Sequence, residues 1–397
     1  METTICGITA FNYWRTPPIV HLLLAGTGDD PLLRNIMSPD LLQAFRVSAL
    51  NELDLCKLFF SPSTRTRCLG ATSREIRQAI PMLASNHMGP LDILASVRGQ
   101  YHTSSLLRPH LWTGDIPLGG RVHLTDDIWM ATPELILQQF AAHSSLAQLA
   151  MMGDELCGSF AVYSPPPLIR ECLQRIHERR GIPKIAGWDP FVDGRGQLTN
   201  LWSRPPLATP QTILRFAEMS DARRGRLRLQ QAVTLMREGA TSPFEVRAGI
   251  LLGFPRRLGG EGFEDFTFNH KVALSREGRL LAQRQFCMCD LFWEEGNLDL
   301  ECQSAVVHQE ERSFLSDSDR CAALSYMGIN VLPITYAQLR DAQRFAALTK
   351  TIARFLGTHP RKKTGTQAQR AEELRREVMG SWSHIHQLRN KSSNRNL

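Results

Sequence analysis

Carboxylates in the last third of the chain have the spacing that metal-assisted phosphate chemistry needs. Asp290 falls near the end of one apolar run and Glu301 in the next, with turn residues 294–297 between the runs. Paired as an antiparallel hairpin, the two runs bring both carboxylates to one edge of a sheet. Two carboxylates a few ångströms apart make an oxygen site for Mg²⁺, and the ion can activate water and stabilise charge developing on a phosphate. Glu245, at the start of the preceding helix, is a candidate third ligand. Ser242 and Pro243 before it offer a second, compatible role, the return arm of a capping box. Glu301 stands between Leu300 and Cys302, and a carboxylate in an apolar strand needs a partner or a metal, or its pKa rises until it is neutral. Asp317 begins the following helix beside Arg320, whose guanidinium suits a phosphate or one of the carboxylates.

Other reactive residue types carry less. Cys287, Cys289 and Cys302 lie across the same hairpin, and with His308 they would make a zinc set. The Cys-x-Cys alternation reads as strand core instead. Gly259-Gly260 lacks a following Gly-Lys-Ser/Thr, so it is not a phosphate loop. The arginines at 223, 224, 226 and 228 read as a solvated helix face.

These residues need a particular frame. Ser242-Pro243 starts a helix to about Leu252, and a Gly, Pro and Arg-rich loop fills 253–265. A strand near 270–274 precedes the hairpin strands 285–293 and 298–304. A helix capped by Ser316-Asp317 is stopped by Gly328, a strand follows over 329–335, and an amphipathic helix fills 336–356. Helix, antiparallel strands, helix, strand, helix describes a three-layer α/β/α domain.

The order Ser-Pro-x-Glu245, Asp290-x-x-Trp293, Leu300-Glu301, His308, Asp317-x-x-Arg320 and Gly328-Ile-Asn-Val resembles the very-short-patch-repair endonucleases and their relatives in the PD-(D/E)xK nuclease superfamily. The likeness covers about residues 242–340. It implies a restriction-endonuclease-like mixed sheet flanked by helices, and Mg²⁺-dependent attack of water on a DNA phosphodiester. Carried over, Asp290 and Glu301 would hold the metal and Glu245 would complete its shell. His308 would act as an acid/base or phosphate contact. Two positions depart from the pattern. Cys289-Asp290 stands for the proline-aspartate of the superfamily name. Gln303 stands where the family most often has Lys, or an acidic residue in this subgroup, and it can neither ionise nor relay a proton. Lys271 and His308 are the groups that could substitute for it in space.

Towards the N-terminus, Thr9-Ala10-Phe11-x-Tyr13-Trp14-Arg15 ends a short helix at two prolines. Thr132-Pro133-Glu134 opens an apolar-periodic stretch to about Gly153. Together with Ile116-Pro117, these segments resemble proteins related to abortive-infection antitoxins, which implies a sensing, binding or regulatory role. Residues 164–210 are rich in proline and glycine turns, and an Arg-rich helix is expected over 212–239. The fold class expected is α/β: an α+β N-terminal region over 1–163, a connector and long helix over 164–240, the nuclease-like domain over 241–357 and a basic tail over 358–397.

The length of 397 residues suits two or three domains. Of the net charge of +7, residues 359–397 carry +6, from nine Lys and Arg against three Glu. The rest of the chain is close to neutral. Such a tail either adds salt-dependent affinity for nucleic acid or serves as a solubilising extension. The nine cysteines are scattered with no Cys-x-x-Cys, as expected of reduced thiols. No secretory leader and no apolar span is recognisable, so a cytoplasmic location without a membrane partner is expected. The function expected is a Mg²⁺-dependent endonuclease-like protein acting on DNA, in a defence or toxin–antitoxin type system with a protein partner. The alternative is a non-catalytic protein of the same fold that binds DNA or regulates.

Overall fold

The computed structural model describes residues 3–25, 31, 37–38, 40–43, 91–96, 107–125, 128–221, 224–303, 311–359 and 363–387, with backbone alone for 25, 125, 311–317 and 386–387. The first half contains β1 (Thr3–Ile5), α1 (Gly7–Arg15), α2 (Pro18–Ala25), β2 (Leu91–Ala95), β3 (Leu107–Leu111), β4 (Arg121–Thr125), β5 (Ile128–Ala131), α3 (Pro133–Ala141), α4 (Leu146–Cys157), β6 (Phe160–Val162), α5 (Pro167–Arg180), β7 (Asp189–Val192) and β8 (Leu198–Ser203). There follow α6 (Pro210–Met219), α7 (Arg226–Val233), α8 (Pro243–Gly253), β9 (Thr267–Ala273), α9 (Arg276–Ala282), β10 (Phe286–Trp293), β11 (Leu298–Gln303), α10 (Glu311–Tyr326), β12 (Asn330–Thr335), α11 (Tyr336–Arg340), α12 (Ala342–Phe355) and α13 (Gly365–Val378). A 3₁₀ segment, Trp382–Gln387, closes the described chain. The protein is a mixed α/β structure with mixed sheets. Among the described residues no helix is long and apolar enough to cross a membrane.

The chain divides into two units. The first comprises Met1–Ser144, Ala161–Phe191 and Leu198–Val233; the second comprises Ser145–Phe160, Val192–Gln197 and Thr234–Leu397. These are not the divisions expected from the sequence, because α4 belongs with the C-terminal elements.

In the first unit a five-stranded sheet runs in the order β3-β2-β1-β5-β4. Strand β1 lies parallel to β5 and antiparallel to β2. Helix α1 starts where Asp92 of β2, fully buried, accepts hydrogen bonds from the Thr9 amide (3.2 Å) and hydroxyl (3.1 Å). A carboxylate from another strand thus caps the helix N-terminus. The apolar stretch after Thr132 is two helices rather than one, since Ser145 and Gln148 form a capping box that starts α4 afresh. The expected helix over 212–239 is likewise broken into α6 and α7. Gly225 sits between them at φ +82°, and a Cβ there would lie 2.6 Å from the Gln138 carbonyl oxygen.

In the second unit the sheet order is β12-β11-β10-β9. Strands β9, β10 and β11 form an antiparallel meander, and β12 adds to β11 in parallel. Helix α8 packs on β10, and α10 packs on β12 and on α9. One core cluster gathers Val272, Leu274, Cys287, Cys289, Phe292, Ala323, Leu324 and Ile329. The alternate cysteines of β10 are therefore core, as their spacing suggests. Helix α9, between β9 and β10, was not expected. Its cap is Ser275, which accepts the Gly278 amide at 3.1 Å. The helix expected over 336–356 divides at Asp341, whose carboxylate accepts the amides of Gln343 (3.0 Å) and Arg344 (2.8 Å).

Much of the expected basic tail is part of the second unit. Helix α13 packs on α4 and α8, burying Ala371, Leu374 and Val378, and the 3₁₀ segment buries Trp382 and Ile385. Three of its basic residues serve internal contacts. Lys363 pairs with Glu261 at 2.6 Å, Arg370 donates to the Arg257 carbonyl at 2.9 Å, and Arg375 donates to that of Leu339 at 3.2 Å. Net charge counted along a sequence does not register that these cations have partners.

Candidate functional site

Three elements bring the acidic residues together. Ser242 caps α8 by accepting the Glu245 amide at 3.2 Å. The Glu245 side chain turns back, but takes the backbone amide of Thr241 rather than that of the cap residue. It accepts from the Thr241 amide (2.8 Å) and hydroxyl (2.8 Å), the Ser242 hydroxyl (2.7 Å) and Asn269 Nδ2 (2.6 Å). Asn269 is held in β9 at φ +49°, a conformation that Asn tolerates better than most residues. Burial raises the Glu245 carboxyl above its ordinary range, and the hydrogen bonds pull it back.

Asp290 and Glu301 flank the last pair of the β10–β11 ladder, Leu291 and Leu300, on its outer side. Asp290 Oδ2 accepts the Cys302 amide at 2.8 Å. Its pKa is pushed well above the carboxylate range, by burial first and then by the charges of Glu301 and Glu245. Glu245, Asp290 and Glu301 are therefore near enough to interact electrically.

Glu301 has a different principal partner. Arg320, from α10, pairs with Glu301 Oε1 and with Asp299 Oδ2 (2.8 Å), and donates to the Met288 carbonyl (2.8 Å). Asp299, two residues before Glu301 on β11, is completely buried. Among the described residues its Oδ1 has no full hydrogen bond, and the weakly donating Cys289 thiol is its neighbour. Burial raises the Asp299 carboxyl, Glu301 raises it further, and Arg320 opposes both. Burial alone would weaken the Arg320 charge, but Glu301 and Asp299 outweigh it and hold the guanidinium protonated. Burial and the nearby carboxylates keep the Cys289 and Cys302 thiols in the neutral form.

This arrangement differs from the expected metal shell. Among the described residues no three His, Cys, Asp or Glu side chains are grouped to hold a metal ion. Glu301 is committed to a guanidinium, Glu245 to four donors and Asp290 to a backbone amide. The donors present do not fit Mg²⁺ as they stand, because each carboxylate already faces a hydrogen-bond donor. Gln303 ends β11, exposed, opposite Thr335 of β12. Lys271 lies over the Phe286 ring, 4.0 Å from its centroid. His308 is outside the described residues, and Asp317 lies within α10 rather than at its start, its side chain outside the described set. Arg320 takes the carboxylate partner that the sequence offered it. Asp299 was missed, although a second carboxylate in the apolar run Leu298-Asp299-Leu300-Glu301 is itself the signal of a buried, partnered acid.

No protein-family model, no curated protein and no solved structure matches the chain.

Proposed function

We propose that the second unit is a nuclease-type α/β/α module that binds DNA without cutting it, serving a regulatory or defence-system role. The observation that carries this reading is Arg320, which neutralises Glu301 and Asp299 from within the fold. A guanidinium there does for the carboxylates what a divalent cation would otherwise do, and it removes the need for one. The uncharged Gln303 fits the same reading, since it leaves no group at that position to polarise water. The order helix, three-stranded meander, helix and parallel strand fits the sheet flanked by helices that the family resemblance implies. The first unit is read as the sensing or regulatory half, on the likeness of its sequence to antitoxin-related proteins.

One observation favours a second reading, a Mg²⁺-dependent endonuclease. Asp290 feels both Glu301 and Glu245, and clustered carboxyls with raised pKa values are a mark of functional sites. The test uses supercoiled and linear DNA with Mg²⁺ or Mn²⁺, comparing the protein with Glu301→Gln. The non-catalytic reading expects binding by both and divalent-dependent cleavage by neither. Cleavage by the unaltered protein that falls by several orders of magnitude in Glu301→Gln would establish the endonuclease instead.

A further inference from the structure

We propose that α9, with the adjoining ends of β9 and β10, is the surface on which nucleic acid lies, its backbone on the basic side chains and an unstacked base against Phe286. The inference rests on the reading of the module as a nucleic-acid binder. Helix α9 reverses the usual amphipathic order. Its buried positions are Gly278 and Ala282, while Leu280 is 75% and Leu281 43% exposed. On β10, Cys287 and Cys289 point into the core and the alternate residues Phe286 and Met288 are 42% and 39% exposed. Four large apolar side chains thus lie outside within nine residues of chain, and packing among the described residues does not account for them.

The charge around them says what covers them. Between residues 271 and 288 the exposed Lys271, Arg276, Arg279 and Arg284 face one acid, Glu277. That is a net +3 in a chain whose first 358 residues together carry about +1. A basic surface interleaved with an aromatic ring and aliphatic side chains is complementary to phosphates with bases between them. Lys271 lies over one face of the Phe286 ring, 4.0 Å from its centroid, which leaves the opposite face for a base and puts a cation within reach of its phosphate. A membrane surface fits less well. Seven residues of helix extend about 10 Å, short for a helix lying in a bilayer interface, and Phe286 and Met288 belong to a sheet.

The test is fluorescence anisotropy with a 30-nucleotide single strand and its duplex between 50 and 200 mM KCl. It compares the full chain with the combined Lys271→Ser, Arg276→Ser and Arg284→Ser variant and with Phe286→Ala. All four side chains are exposed, and unchanged melting curves will confirm that the variants fold. The triple variant should flatten the slope of log affinity against log salt by about 2–3, one phosphate contact per cation. Phe286→Ala should weaken single-strand binding by about 5- to 100-fold, the range of one lost base stack. Oligonucleotide binding by the full chain that both variants retain unchanged overturns this surface and leaves the binding reading intact. A full chain that binds neither oligonucleotide defeats the binding reading and this proposal together. Capture by anionic vesicles in that case would give the face to a membrane.

Discussion

At the scale of single residues, Arg320 governs the acidic cluster. Two carboxylates on alternate positions of one strand, one of them completely buried, would repel each other without it. Replacing Arg320 by Met keeps much of the side-chain volume and removes the charge. The expected loss of stability is about 3–5 kcal/mol at pH 8, the usual consequence of stripping one partner from a buried ion pair. The loss should shrink at pH 5. Without Arg320 the folded protein holds its carboxyl protons more tightly than the unfolded chain does. Stability then falls as pH rises above the ordinary carboxylate pKa and recovers below it. Urea unfolding at the two pH values reads this directly, and a pH-independent effect would mean that Arg320 contributes packing alone. The same residue marks how far the site was legible. Its types and spacing told that Glu301 needed a partner and that Arg320 was a candidate. They could not tell that Asp299 completes the group, or that Arg320 rather than a metal ion satisfies it, because that choice depends on how α10 lies against β11.

At the scale of elements, local signals located the starts of helices better than their continuity. Ser242-Pro243 and Thr132-Pro133 both open helices where expected. Hydrophobic periodicity runs on across Ser145, Gly225 and Asp341, where capping boxes, a positive φ and a side-chain cap stop one helix and start another. Apolar periodicity reports a face, and a face can be shared by consecutive helices. Helix α13 is hidden in the sequence for a related reason, since its charge conceals the apolar stripe Ala371, Leu374 and Val378. What ends it is a residue from α8. Arg247 donates to the carbonyls of Val378 (3.0 Å) and Gly380 (2.6 Å), and its guanidinium lies 5.3 Å from the ring centroids of both Tyr336 and Trp382. The Val378 carbonyl is among the groups a helix C-terminus leaves without partners, and Gly380 lies just past the cap residue Met379. Arg247→Met should cost about 3 kcal/mol, from two charge-assisted hydrogen bonds, and expose residues 363–387 to trypsin well before the rest of the unit. Digestion at the rate of the unaltered protein would show that apolar burial alone holds the segment.

At the scale of the whole molecule, the path of the chain is not the order of its parts. Helix α4, more than one hundred residues before β9, belongs to the second unit and supplies several of its internal bonds. Glu155 accepts Trp382 Nε1 at 2.7 Å, Gln148 Nε2 donates to the Ile385 carbonyl at 2.7 Å, and the fully buried Asp154 accepts the Arg237 amide at 2.7 Å. Burial moves the Asp154 carboxyl up to about 8, against the pull of Arg237, so at neutral pH it acts mainly as a neutral acceptor inside the unit. A fragment cut at the boundary the sequence suggests, residues 241–397, keeps the whole sheet and the acidic cluster but loses α4 and Arg237. Trp382 would then have no acceptor for its indole N–H, and the faces of α8 and α13 that pack on α4 would meet water, at about 1.5–3 kcal/mol for each large apolar side chain uncovered. Summed over Leu374, Val378, Trp382 and Ile385, that is comparable to the 5–15 kcal/mol net stability of an ordinary domain. The fragment is therefore expected to unfold without a cooperative transition and to bind a dye for exposed apolar surface, whereas the full chain, which keeps α4, should melt cooperatively. A sharp thermal transition from residues 241–397 alone, with no dye binding, would mean that the sheet and its helices form a self-sufficient core and that α4 is only an added layer.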